Sequence, residues 1–298
     1  MTKAVETVPR PNPAYSAIRA LGRYLRRGNQ GVWPFLAIVG VFALMALLSP
    51  WIAPADPLRQ DLLGRLAPPL SQVRDSFHLL GTDELGRDIA SRIVYGARVS
   101  VVVAFLSVSL SGAVGSALGM LAAYSRGMFE TVVMRLVDVF LSIPAILFAI
   151  ITVAVLGPGL WNVVLVLALT RWPRYARVAY GQTLGIARRP YLLYASYVGA
   201  STRRQLFVHI LPNIFGALIV VATLEFGLMV LFEAGLSFLG LGVQPPTPSW
   251  GGMLSVGKDY VSSAWWLATF PGLCLFLLVL SVNVIGDRLS DRLELRAR

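Results

Sequence analysis

Apolar stretches of membrane-spanning length recur along this chain, and that repetition limits its possible folds more than any single motif does. A helix needs roughly 20 residues to cross about 30 Å of hydrocarbon. Val32–Ile52, Val99–Tyr124, Leu136–Leu156 and Trp265–Ile285 meet that length with at most one charge each. Ile214–Leu241 meets it with two, Glu225 and Glu233. Leu160–Thr170 is shorter and is followed by Arg171, Arg174 and Arg177, so it reads as a span that emerges into water there with snorkelling arginine stems. The chain is 56% hydrophobic and 14% charged. A soluble domain carries about 45–50% and 25%. The expected fold is an all-α membrane protein with six transmembrane helices.

Charge supplies the orientation. With the N-terminus in the cytoplasm, nineteen of the 26 Lys and Arg fall on the inner side and seven on the outer. Both termini are then cytoplasmic. The net charge of +11 is topological, because the basic residues lie between spans and are not interleaved with aromatics as a nucleic-acid surface would be. Membrane lipid is the expected neighbour, and nucleic acid is not. Val32–Ile52 is too long for the apolar region of a signal peptide and reads as a retained span. A single cysteine, Cys274, excludes an internal disulfide and a C-x-x-C centre.

The chain divides into a cytoplasmic tail (1–31), a first span with an extracytoplasmic segment (32–98), a five-helix core (99–285) and a cytoplasmic tail (286–298). Within the core, Gly115 and Gly119 form a G-x-x-x-G that would admit a neighbouring helix closely. The cytoplasmic segment 183–212 contains no acid and reads as two short helices around a turn. Pro190 opens the first, and Gly199 permits the turn. Thr202 and Gln205 fit a T-x-x-Q capping box for the second, whose apolar face is Leu206, Phe207, Ile210 and Leu211. Arg203 and Arg204 lie in its first turn, where the helix dipole disfavours cations. Periodicity and charge allow this loop either to lie on anionic lipid or to dock into a cytoplasmic partner.

Buried carboxylates in a membrane are costly and point to function. Glu225 lies mid-span, where it could meet an ammonium group of a solute or pair with a neighbouring helix. Glu233 lies nearer the outer end and suits a hydrogen-bonding or gate role. Asp138 follows Arg135 at a spacing that allows a pair on one helix. Asp83, Glu84, Arg87, Asp88 and Arg92 read as a salt-bridged helix start on the outer side. His78 and His209 fall on opposite sides of the membrane and cannot share a metal. The run PPTPSW (245–250) reads as a rigid outer loop able to contact a binding protein or a companion subunit.

Three stretches carry a family resemblance. The segment containing Ala195, Gly199, Ala200, Ser201, Ile210, Leu211 and Pro212 resembles the cytoplasmic loop of ATP-binding-cassette importer permeases, with Leu193 where the family often has Glu and Tyr194 where it has Ala. HLLGTDELGRDIASRIVYGARVS (78–100) and EAGLSFLGLGVQPPTPSWGGML (233–254) are similar to hallmarks of the C-type permease in the dipeptide/oligopeptide/nickel subfamily. MRLVDVFLSIP (134–144) and GDRLSDRL (286–293) agree in register. The resemblance implies a type I importer in a bacterial inner membrane. Its other parts would be a homologous B-type permease forming a heterodimer, two cytoplasmic ATP-binding subunits and an extracytoplasmic solute-binding protein.

On that resemblance the loop docks into an ATPase and transmits its closure to the membrane helices. This chain has no G-x-x-x-x-G-K-[ST], so ATP and Mg are expected on the ATPases and no cofactor on this chain. Short peptides are the implied solute. Nickel complexes or opines would use the same machinery, and an ion-coupled secondary transporter is the alternative of a different class. The expected coupling residues are Ala195, Gly199–Arg204, Leu206, Phe207, Ile210, Leu211 and Pro212. Glu225 and Glu233 are the candidates for the solute pathway.

Overall fold

The computed structural model describes residues 31–74 and 76–297. The basic cluster of the N-terminal tail, from Lys3 to Arg27, lies outside the described residues. The helices are α1 (Trp33–Ile52), α2 (Ile89–Ser125), α3 (Gly127–Ser142), α4 (Ala145–Leu156) and α5 (Leu160–Ala187). They continue with α6 (Pro190–Tyr197), α7 (Thr202–Phe238), α8 (Trp250–Gly257) and α9 (Trp266–Ala297). A two-stranded antiparallel hairpin, β1 (Ser71–Val73) and β2 (Ser76–His78), pairs Ser71 with His78. Large apolar side chains such as Leu47, Phe105, Ile151, Val155 and Phe276 stand exposed on the helices, as a lipid-facing surface requires.

Helices α1, α2, α7 and α9 are each long and apolar enough to cross a membrane. The third apolar run is not one straight helix. It breaks into α3 and α4, which meet at a 95° bend. Pro144 explains the break, since the residue before a proline is pushed out of the helical region; Ile143 is extended at φ −89° and ψ 130°. The fourth run is longer than its apolar part. α5 continues for 28 residues, through Arg171, Arg174 and Arg177 and across Pro173, so those arginines do not mark a helix end emerging into water.

The α2–α5 pair is the most extensive helix contact in the fold. A Cβ on Gly115 would lie 2.2 Å from the Trp172 carbonyl, and one on Gly119 would lie 2.2 Å from that of Ala176. Only glycine lets the two backbones approach this closely, which bears out the G-x-x-x-G reading.

At the end of the fold where α2 begins, indoles staple the surrounding segments onto helices. Trp250, fully buried, donates from Nε1 to the Ile93 carbonyl at 3.0 Å and meets Phe42 edge to face at 5.3 Å. Trp266 donates to the Thr82 carbonyl at 3.1 Å. The start of α2 is capped by Asp88, which accepts from the Ser91 N–H at 2.8 Å and hydroxyl at 2.7 Å and also bonds His78 at 3.0 Å. Arg87 pairs with Asp83 at 2.6 Å and with Glu84 at 2.9 Å. These ion pairs form in the loop before α2 and not along a helix face, because the chain from Thr82 to Asp88 closes as a bridged turn. The loop at 245–250 is anchored from within: Ser249 caps α8 by accepting from the Gly252 N–H at 3.1 Å.

Candidate functional site

Two regions carry the functional candidates: the turn between α6 and α7, and the carboxylates of α7. In the turn, α6 begins at Pro190 and Gly199 adopts φ +86°, a left-handed conformation open to glycine. The cap of α7 is Ser201, not Thr202. The Ser201 hydroxyl accepts from the Arg204 N–H at 3.4 Å, while Thr202 is the first helical residue. Gln205 does not complete a box either. Its side chain is buried, donating to the Ala200 carbonyl at 2.9 Å and accepting from the Tyr124 hydroxyl at 3.1 Å. That pair ties the turn to the C-terminal end of α2.

The second helix of the turn does not stop at Pro212. It runs into the fifth span as one 37-residue helix, Thr202–Phe238, with a π turn at Gln205–Ile210 in which the Leu211 N–H bonds the Leu206 carbonyl. A proline cannot donate to the carbonyl four residues earlier, and a locally widened turn accommodates that gap without breaking the helix. The segment is therefore continuous with the membrane helix that holds Glu225.

Its apolar face divides in two. Leu206 and Ile210 are buried inside the chain against Met120, Tyr175 and Ile214, with Leu211 packed at their edge. They hold the turn in place and are not free to enter a partner. Phe207 is exposed. The outward surface is instead Tyr194, Tyr197 and Val198, the last two 86% and 89% exposed, with Gly199, Ser201, Thr202, Arg203 and Arg204. Ala195 and Ala200 are half-buried behind it. Tyr194, Tyr197 and Val198 are not among the expected coupling residues because an apolar face is assigned only to the second helix of the turn. Their signal was an aromatic pair three residues apart ahead of a glycine turn.

The two carboxylates of α7 are in different states. Glu233 is fully buried and satisfied. It accepts from the Ser100 hydroxyl at 2.9 Å and the Ser237 hydroxyl at 2.8 Å, and Ser237 in turn accepts from the Val243 N–H at 3.2 Å. It thus joins α2, α7 and the loop leading to α8. Glu225 is 1% exposed and faces α5, with Arg174 at 3.2 Å and Arg171 at 3.6 Å. The Arg171 guanidinium also stacks over Phe232 at 4.5 Å. Of the two options open for Glu225, pairing with a neighbouring helix is the one this geometry displays. Three arginines at three-residue spacing on α5 were the available signal.

Asp138 pairs with Arg177 of α5, not with Arg135. The side chain one turn away on the same helix loses to a guanidinium on the neighbouring helix. Tyr180 similarly donates to Glu130, so α3 is pinned to the C-terminal half of α5 at two levels.

This geometry has counterparts among known proteins. Residues 115–298 match the family model of the binding-protein-dependent transport system inner membrane component, and residues 24–69 match the N-terminal transmembrane domain of oligopeptide transport permease C. The di/tripeptide transport system permease protein DppC of Pseudomonas aeruginosa is 43% identical, with 89% of this chain and 88% of that one covered. The dipeptide transport system permease protein DppC of Escherichia coli K12 is 43% identical, with 91% and 90% covered. That of Haemophilus influenzae is 40% identical, with 89% and 90% covered. Among solved structures, inward-facing MetNI methionine ABC transporter matches with a TM-score of 0.54 at 21% identity, over 67% of this chain and 95% of that one. That similarity shows a shared fold, the type I ABC permease. With a family model covering well over half its length, the chain belongs to the binding-protein-dependent transport system inner membrane components, multi-pass permease subunits of ABC importers.

Proposed function

We propose that this chain is the C-type permease of an ATP-driven importer of short peptides, paired with a homologous B-type permease. The observation that carries the solute class is identity of 40–43% over about nine-tenths of the chain to permeases named for di- and tripeptides. An extracytoplasmic binding protein delivers the peptide. Two cytoplasmic ATPases hold ATP and Mg, and this chain performs no hydrolysis. Both termini face the cytoplasm.

The exposed turn around Gly199 is the contact with one ATPase. Tyr194, Tyr197 and Val198 form an apolar knob where water would otherwise be the neighbour, and Arg203 and Arg204 flank it with positive charge. The knob joins α7 across the short turn Val198–Ser201, and α7 is then unbroken from Thr202 to Phe238, so a displacement at Thr202 reaches Glu225 along a rigid element. The buried Leu206–Ile210 face and the Gln205–Tyr124 bond make α2 move with it.

The test is reconstitution of the two permeases, two ATPases and binding protein in proteoliposomes. Uptake of a dipeptide is expected to require internal or external ATP on the ATPase side, to be vanadate-sensitive and to survive collapse of ion gradients. Uptake that follows an ion gradient without ATP overturns the importer reading. ATP-driven uptake of nickel complexes or opines but not of dipeptides overturns only the peptide assignment.

A further inference from the structure

The arginines of α5 outnumber the carboxylate they face. Arg171 and Arg174 share Glu225, and Arg177 is committed to Asp138. The Glu225 cluster therefore carries one surplus positive charge. It lies well away from the ends of both helices, since Glu225 is about 20 Å from Phe238 along α7 and Arg174 about 21 Å from Leu160 along α5, at 1.5 Å per residue. The pairing is also loose. Arg171 Nε and Glu225 Oε2 are both sealed from solvent yet lack a hydrogen-bond partner, because 3.6 Å separates them. Arg174 differs from both, with 56% of its side chain exposed.

A guanidinium within a membrane-embedded bundle faces the bundle interior or a water-filled cavity, not lipid. It has five N–H donors, and Glu225 Oε1 uses only one side of the fork. What remains is a half-open, singly charged donor set suited to a planar carboxylate. We infer that Arg174 is a station on the solute pathway that receives the free carboxylate of the transported peptide, while Glu225 holds the guanidinium in the absence of solute. Glu225 is thus the positioning residue, and the incoming carboxylate replaces it as partner of Arg174. The mid-span group presented to solute is then a cation, complementary to the peptide's C-terminus and not to its ammonium. This inference rests on the peptide reading above.

The experiment uses the complete five-subunit assembly in proteoliposomes with alanyl-alanine and its C-terminal amide. Affinity of the isolated binding protein for each is measured separately, so that its own selectivity can be divided out. Arg174→Gln is expected to lower alanyl-alanine uptake at least tenfold, Arg174→Lys to restore part of it, and neither to alter the residual uptake of the amide. Glu225→Gln is expected to retain uptake but tighten retention of the free acid, seen as a lower half-saturating concentration and a lower maximal rate. Equal losses for acid and amide in Arg174→Gln, or uptake of both at the unsubstituted rate, overturn the station. So does failure of Arg174→Gln to co-purify with the companion permease, which would make Arg174 a subunit contact. Absence of dipeptide uptake by the unsubstituted assembly overturns the peptide reading itself, and is distinguished because it needs no substitution to appear.

Discussion

Glu233 and Glu225 are eight residues apart on one helix, and both are buried, yet their surroundings are opposite. Glu233 has hydroxyl donors on both oxygens, from Ser100 and Ser237, and no charged partner. Glu225 has two charged partners, and one of its oxygens lacks a hydrogen bond. A carboxylate saturated by neutral donors on two helices fixes geometry. One held by excess, poorly aligned cations can give up a partner without leaving a bare charge, because the other arginine remains. The contrast extends to the regions around them. The end of the fold where α2 begins is closed by indole staples, capped helices and short ion pairs, whereas the opposite end exposes an apolar knob, with a partly open arginine between them. The first end is built to stay as it is, and the rest to engage other molecules.

That contrast can be broken most directly at the seam both halves share. Gly119→Val is expected to prevent accumulation of folded protein in the membrane, because its Cβ would fall 2.2 Å from the Ala176 carbonyl. Quantitative immunoblotting of membranes checks this, and normal accumulation would show that α2 and α5 separate easily. Next in size, Trp250→Ala should cost about 3–5 kcal/mol, the usual range for deleting a buried aromatic, and lower the melting temperature of the purified protein.

Glu233→Ala leaves two buried hydroxyls without their acceptor, each costing about 1–3 kcal/mol, so the same melt should fall by an amount comparable to that of Trp250→Ala. Ser201→Ala should cost about 1 kcal/mol as loss of a helix cap, and Thr202→Ala close to nothing. Tyr197→Ala should leave the melt within about 0.5 kcal/mol, as an exposed substitution does, while weakening co-purification of the ATPase subunits. Unchanged ATPase association would remove the knob from the contact.

Much of the architecture was legible beforehand because it depends on properties that short windows of sequence contain. Apolar length located the spans, and the four-residue glycine spacing located the closest helix crossing. Proline chemistry at Ile143–Pro144 was equally local, but an unbroken apolar run concealed the bend. The misplaced cap at Thr202 arose because two adjacent hydroxyl residues satisfy the same rule, and only backbone conformation separates them. Asp138 and the α5 arginines were assigned to the nearest residues in sequence or to solvent, since a one-dimensional pattern gives no view of the helix packed alongside.

The sequence by itself determined that the chain lies in a membrane, how many apolar segments it offers, and where a turn and a close helix crossing must fall. Those follow from transfer free energy, backbone sterics and the absence of a side chain on glycine, all of which act within a few residues. Only the tertiary structure decided which arginine meets which carboxylate, which face of the helix after Ser201 is buried, and that this helix joins the fifth apolar run without a break. Such pairings join groups as far apart in sequence as Ser100 and Glu233, or Arg174 and Glu225, and their strength depends on distance and burial that exist only once the helices have packed.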